Sequence, residues 1–177
     1  MERITTKPKS RLMPNLPAIK RKIMNDIDEV EPRIFISSRL TSTKICLLKS
    51  LGITHILIWA SDIEEKYPDS FTYKTISMED NREENISKHF VTAFDFIKEA
   101  LEKNTINNVL VHCWAGKSRS PTIVASYLIK QYKISAHIAL KIINKRRDIR
   151  PNHGFKKQLF EHQIEITGLR VDEDKLY

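Results

Sequence analysis

The sequence predicts a single α/β domain in which a central sheet of about five strands is flanked by helices. Three observations carry this expectation. Short β-branched segments alternate with helical patterns through the first two thirds of the chain, and the last third is helical. A chain of 177 residues at 41% hydrophobic fills one core and leaves too little for a second.

Pro8, Pro14 and Pro17 stand among charges at the N-terminus, and residues 1–27 read as a basic arm, extended or packed on the body. The folded body covers 28–170 and residues 171–177 form a tail. Arg33-Ile34-Phe35-Ile36 gives a first strand. Ser42 to Leu51 follows as a helix closed by Gly52, and Ile53 to Ala60 as a buried strand. Phe71 to Ile76 alternates like another strand. After the polar loop Glu79–Asn85, a helix begins at Ser87 with Phe90, Phe94, Ile97 and Leu101 on one face. Asn108 to His112 is a short apolar strand. Helices are then expected over Ser118–Tyr132, Ser135–Arg147 and Phe155–Ile166, with Pro151 and Gly154 separating the last two.

The net charge of +8 is uneven: residues 1–25 hold seven Lys/Arg against Glu2 alone, so the remainder carries only +2. An arm of this kind suits nucleic acid, an anionic lipid surface or an acidic partner, or serves solubility alone; Lys20-Arg21-Lys22 is a weak nuclear-import pattern. The sequence holds no apolar run of eighteen residues and no secretory signal, which argues against a membrane span and export. Two cysteines, Cys46 and Cys113, argue against a disulfide framework and for a reducing compartment, cytoplasmic or nuclear. Cys46, on a helix, reads as an inert core thiol. His137, His153 and His162 lack metal-ligand spacing, and no metal or other cofactor is expected.

Residues 111–121, Val-His-Cys-Trp-Ala-Gly-Lys-Ser-Arg-Ser-Pro, join an apolar strand to a helix start. At such a junction backbone N–H groups and a helix N-terminus converge on an anion. The loop Trp114, Ala115, Gly116, Lys117 and Ser118 can curl its amides around a phosphate, with Gly116 taking angles that a side chain resists. The same amides stabilise a thiolate, the nucleophilic form of Cys113. Arg119 offers a planar fork to two phosphate oxygens. His112 is placed to orient the loop, and Ser120 to hydrogen-bond the thiolate as it leaves. Trp114 reads as a packing residue or a substrate contact, and Asn152 as a brace for the loop or a helix cap. Expulsion of an alkoxide needs a proton donor that the loop lacks. Asp80 and its neighbour Glu79 are both candidates, and spacing does not separate them.

His112-Cys113-x-x-Gly116-x-x-Arg119-Ser120 resembles the signature loop of the protein tyrosine phosphatase superfamily. Residues 115–121, Ala-Gly-Lys-Ser-Arg-Ser-Pro, resemble its dual-specificity branch. Further landmarks are similar: Arg33–Ser38, Leu51–Leu57, Asn85–Phe90, and Arg150-Pro151-Asn152-x-Gly154-Phe155-x-x-Gln158-Leu159. Together the resemblance covers about residues 28–168, implies that superfamily's mixed sheet, and selects Asp80 as the general acid. It also implies two steps: attack by Cys113 with protonation of the leaving group by Asp80, then hydrolysis of the phosphocysteine assisted by Ser120. The implied substrates are phosphotyrosine and phosphoserine/phosphothreonine in proteins, protein kinases among them. With no upstream rhodanese-like domain in view, the chain resembles the small atypical members. Lys117 resembles some plant and protist enzymes and the lipid phosphatase related to tensin. That keeps a phosphoinositide or an RNA 5′ end as alternative substrates, although a pocket-rim charge is the simpler reading of Lys117. A non-catalytic phosphoprotein-binding module is the third reading, against which Cys113, Arg119 and Asp80 all stand.

Overall fold

The computed structural model describes residues 26–168. Five strands form one sheet: β1 (Ile27–Glu31), β2 (Ile34–Ser37), β3 (Ile53–Trp59), β4 (Thr72–Ile76) and β5 (Asn108–His112). Their order across the sheet is β1-β2-β5-β3-β4. β1 runs antiparallel to β2, and the other pairings are parallel, so the sheet is mixed as expected.

Strand alternation divides the core. In β5, Val109 and Val111 point to one face and Leu110 to the other, all fully buried. The first face is covered by α3 (Phe90–Lys103), α4 (Arg119–Tyr132), α5 (Ala136–Asn144) and α6 (His153–Thr167). The second is covered around Leu48 by the short helix α2 (Ile45–Ser50) and by Ile63, Tyr67 and Phe71 of the segment before β4; another short helix, α1 (Arg39–Ser42), precedes α2. Residues 119–129 of α4 are buried on every side, which makes it the central helix of that layer. Pro121 is tolerated because it stands in the first turn, where an N–H has no helical partner.

Three expectations change. The helix expected over Ser42–Leu51 begins only at Ile45, as α2, and a separate turn of helix, α1, ends at Ser42. The Oγ of Ser42 and the Oγ1 of Thr43 donate back to the carbonyls of Arg39 and Leu40 at 2.8 and 3.0 Å, competing with the helical ladder. Cys46 on α2 is exposed, so it is not a core thiol; only Leu48 of that helix is buried. Gly154 does not separate two helices but lies in the first turn of α6. The fifth strand, β1, comes from the end of the segment where the arm meets the body; residues 1–25 and 169–177, with the bulk of the arm and the tail, lie outside the described residues.

β5 lies between β2 and β3, with Ser37, Ile58 and His112 in register at their carboxyl ends. The chain leaves the sheet there, where successive connections turn to opposite sides, and open α/β sheets form their binding crevices at such points. Residues 113–118 fill this crevice, and the first residue of α4 is Arg119.

Candidate active site

The loop from Cys113 to Arg119 is shaped from outside by hydrogen bonds to five successive carbonyls. Trp114 accepts from the Arg39 amide at 2.9 Å and Lys117 from the Arg150 amide at 2.7 Å. Ala115 and Gly116 both accept from the Arg147 guanidinium, at 3.0 and 2.7 Å. Ser118 accepts from the N–H and Oγ1 of Thr122 at 3.1 and 2.8 Å, closing the first turn of α4. In a trans peptide unit the N–H points opposite to the C=O. The five carbonyls drawn to these partners therefore leave the amides of residues 115–119 facing the other way, into the hollow at the head of α4. Gly116 makes the curl possible: its φ is +65°, and a Cβ there would stand 2.5 Å from the Ser37 carbonyl oxygen.

Cys113 sits at the base, 1% exposed, with Sγ 3.3 Å from Ser120 Oγ. Arg119 is also buried; its Nη1 donates to the Met78 carbonyl at 2.8 Å, while Nε lies 3.6 Å from Asp80 Oδ2 without a hydrogen bond. Asp80 belongs to the loop after β4 and is held from two directions. Ser118 Oγ donates to its Oδ1 at 2.7 Å, and Asn152 Nδ2 donates to the same oxygen at 2.9 Å. Asn152 does more than cap α6, where its Oδ1 accepts from Phe155 N at 2.9 Å; its own N–H donates to Ser118 Oγ at 3.2 Å. One residue thus ties the acid loop, the signature-like loop and the last helix together. Both Asp80 and Glu79 are exposed, but Glu79 has no partner in this network among the described residues.

His112 is buried behind the loop, and desolvation lowers its pKa from 6.5 to about 4, opposed by a hydrogen bond with the Cys113 backbone. It is therefore neutral at physiological pH, and its Nδ1 is without a partner. Trp114 is 45% exposed, and its ring carries the Arg39 guanidinium 3.9 Å from its centroid. It stands at the rim of the hollow rather than in the core, a position open to either of its two readings. The Lys117 ammonium pairs with Asp148 at 3.2 Å, both half-exposed or more.

A family model, that of the dual specificity phosphatase catalytic domain, matches residues 34–165. The chain belongs to the dual specificity phosphatase family. It is 36% identical over 144 residues to the dual specificity protein phosphatase 1B of Arabidopsis thaliana, covering 81% of this chain and 85% of that one. To the dual specificity protein phosphatase 1 of the same plant it is 38% identical, over 73% of this chain and 65% of the relative. The crystal structure of the human tyrosine phosphatase-like serine/threonine/tyrosine-interacting protein superposes with a TM-score of 0.73 at 31% identity, covering 78% of this chain and 96% of that one. Family membership makes this a cysteine-based protein phosphatase with phosphorylated proteins as substrates. Among the described residues, no helix is long and apolar enough to cross a membrane.

The structure brings Cys113, Arg119, Asp80, Ser120, Ser118 and Asn152 together, and residues 114–117 line the same hollow. Sequence reasoning missed Arg147 and its partners. Arg147 is 4% exposed and, besides the two loop carbonyls, binds Asp28 at 2.9 Å and Asp26 at 2.8 Å. In the sequence it stands in Lys145-Arg146-Arg147, which looks like a solvated helix end; nothing local distinguishes the buried arginine from its neighbours.

Proposed function

We propose that this phosphatase hydrolyses phosphotyrosine and phosphoserine/phosphothreonine in proteins, protein kinases among them, through a phosphocysteine intermediate on Cys113. The observation that carries this reading is the ring of five outward-bound carbonyls, whose reversed amides and the head of α4 surround the Cys113 thiol while Asp80 is tethered at the rim. Phosphate settles among the amides and the Arg119 guanidinium. Cys113 Sγ attacks phosphorus in line; as the S–P bond forms, the P–O bond breaks and the leaving oxygen takes the proton of Asp80. Water then attacks phosphorus, gives its proton to the Asp80 carboxylate, and displaces the thiolate, to which Ser120 Oγ, 3.3 Å away, donates a hydrogen bond. The amides and Arg119 act mainly on the charge of the transferring phosphoryl group, and no step calls for a metal. Two free cysteines suit work in cytoplasm or nucleus.

The test is hydrolysis of an aryl phosphate and of phosphotyrosine and phosphothreonine peptides by the wild type, Cys113→Ser and Asp80→Asn. The expected result is turnover by the wild type, none by Cys113→Ser, and a loss for Asp80→Asn that grows as the leaving group becomes more basic. Activity retained by Cys113→Ser overturns the assignment. A wild type inert on peptides but active on an inositol phospholipid or an RNA 5′ end replaces the substrate class. Binding of phosphopeptides without turnover reduces the chain to a binding module.

A further inference from the structure

Beside the proposed site, between α5 and α6, lies a groove of about 600 Å³. Its apolar surface comes from Leu140, Ile149 and Phe160, all half-buried, and its cationic surface from Lys141, Arg150 and Lys156. Among the described residues no Asp or Glu lines it. Asp148, on the connecting segment, pairs with Arg150 at 3.4 Å and with Lys117, but among the described residues no carboxylate comes within 4 Å of the ammonium of Lys141 or Lys156. The body outside the arm is close to neutral, so two lysines with no carboxylate partner among the described residues, set over an apolar floor, are not explained by a general positive charge.

The groove is joined to the site by covalent and hydrogen-bonded continuity. Arg150, on its wall, donates its amide to the Lys117 carbonyl at 2.7 Å, and Asn152, two residues on, holds Asp80. Lys156 is four residues along α6 from Asn152, about 6 Å at 1.5 Å per residue, and Phe160 is about 6 Å farther. An extended peptide advances about 3.3 Å per residue, so a chain leaving the hollow in this direction reaches Lys156 two residues from the phosphorylated one and Phe160 about four away.

Resting on the functional reading above, we propose that this groove is a docking site for an acidic, apolar-anchored segment of the phosphoprotein substrate, within about two to four residues of the phosphorylated side chain. The carboxylates meet Lys141 and Lys156, and the apolar residue covers Leu140, Ile149 and Phe160. The complementary charges act on encounter and on substrate binding more than on the chemical step.

Paired phosphotyrosine peptides test this, one with Glu at the second and third positions and Leu at the fourth, on either side of the phosphotyrosine, and the other with Gln and Ser in place of them. The expected result is a kcat/KM about three- to tenfold higher for the acidic peptide, carried by KM and shrinking as salt is raised. Lys141→Glu/Lys156→Glu loses that preference while its turnover of a small aryl phosphate stays at the wild-type level. Equal kcat/KM for the two peptides, or an unchanged preference in the charge-reversed variant, overturns the docking site and leaves the phosphatase reading intact. So does a charge-reversal effect confined to inositol-phospholipid vesicles. Should the aryl phosphate not be hydrolysed at all, the functional reading fails separately, and the groove is judged by fluorescence anisotropy of the same peptides: tighter binding of the acidic one, lost on charge reversal, supports it, and equal binding overturns it.

Discussion

Arg147 Nε donates to the Gly116 carbonyl at 2.7 Å, and this contact joins the end of α5 to the centre of the phosphate-binding hollow. A second arm of the same guanidinium takes Ala115, and two carboxylates of the N-terminal strand region, Asp26 and Asp28, balance its charge. The arginine is nearly sealed from water, so its interactions are made in a medium of low polarity and none is replaced cheaply by solvent.

Replacing Arg147 should therefore cost both stability and turnover. Arg147→Met leaves Asp28 and two buried carbonyls without their donor, a loss of about 3–5 kcal/mol by the usual cost of breaking a buried pair. Arg147→Lys keeps the charge but not the fork, and cannot serve two carbonyls and two carboxylates at once. Urea denaturation should place it between Met and wild type, while kcat on an aryl phosphate falls by about 100-fold, the scale of a misplacement near 1 Å. A lysine variant with wild-type kcat removes Arg147 from loop positioning.

How far the sequence discloses this molecule depends on the range of each interaction. The β5–loop–α4 unit is legible because its parts are contiguous: an apolar strand, a Cys and an Arg with five residues between them, a glycine that must take positive φ, and a helix start. Asp80 is 33 positions before Cys113, and in the sequence only family resemblance separates it from Glu79; its hydrogen bonds come from Ser118 and from Asn152, 72 residues away. β1 was hard to see because Asp28, Glu29 and Glu31 break the apolar alternation of a strand. Asp28 is there to meet Arg147, 119 residues on, and neither residue signals the other in the sequence.

Asn152 performs two jobs that substitution can separate. Asn152→Ser keeps an oxygen to cap α6, whereas Asn152→Ala removes cap and tether together and should lose about 1 kcal/mol more in urea denaturation. Both variants lose the amide that holds Asp80 Oδ1, leaving Ser118 as its only donor among the described residues. Both should slow hydrolysis of phosphothreonine peptides more than that of an aryl phosphate, whose good leaving group needs less help from an acid. Equal losses on the two substrates would detach Asn152 from proton transfer.

His112 sets a pH dependence whose sign follows from its burial. Its folded pKa of about 4 lies below the ordinary 6.5, so the unfolded chain binds the extra proton first as pH falls. The stabilising contribution is complete above pH 6.5 and is lost as pH drops toward 4, a span worth about 3 kcal/mol at 1.36 kcal/mol per unit. His55, His89 and His162 are shifted the same way, and they remain in both proteins when wild type is compared with His112→Gln. The expected outcome is a shallower fall in urea-unfolding free energy for His112→Gln between pH 6.5 and 4. Parallel pH profiles would mean that the buried imidazole takes up its proton without penalty.

Gly154 gives a substitution whose sign runs against helix propensity. It stands in the first turn of α6, with no positive φ, where alanine ordinarily stabilises a helix by up to about 1 kcal/mol. Here a Cβ would run into the backbone carbonyl of Arg82, two residues beyond Asp80, and a backbone carbonyl has no rotamer by which to withdraw. The adjacent loop is pinned as well: Gln158 Nε2 donates to the Glu84 carbonyl at 2.9 Å, and Ser87 N donates to Gln158 Oε1 at 2.9 Å. Gly154→Ala must therefore displace the Asp80 loop or tilt the start of α6, by an overpacking cost of about 1–3 kcal/mol that outweighs the propensity gain. The variant should be less stable in urea and should lose kcat on phosphothreonine peptides, because either movement lengthens the contacts of Asp80 to Asn152 and Ser118. A Gly154→Ala protein more stable than wild type with unchanged kcat would show that the loop at Arg82 yields freely, and that the close packing of α6 against it does not fix the position of the acid.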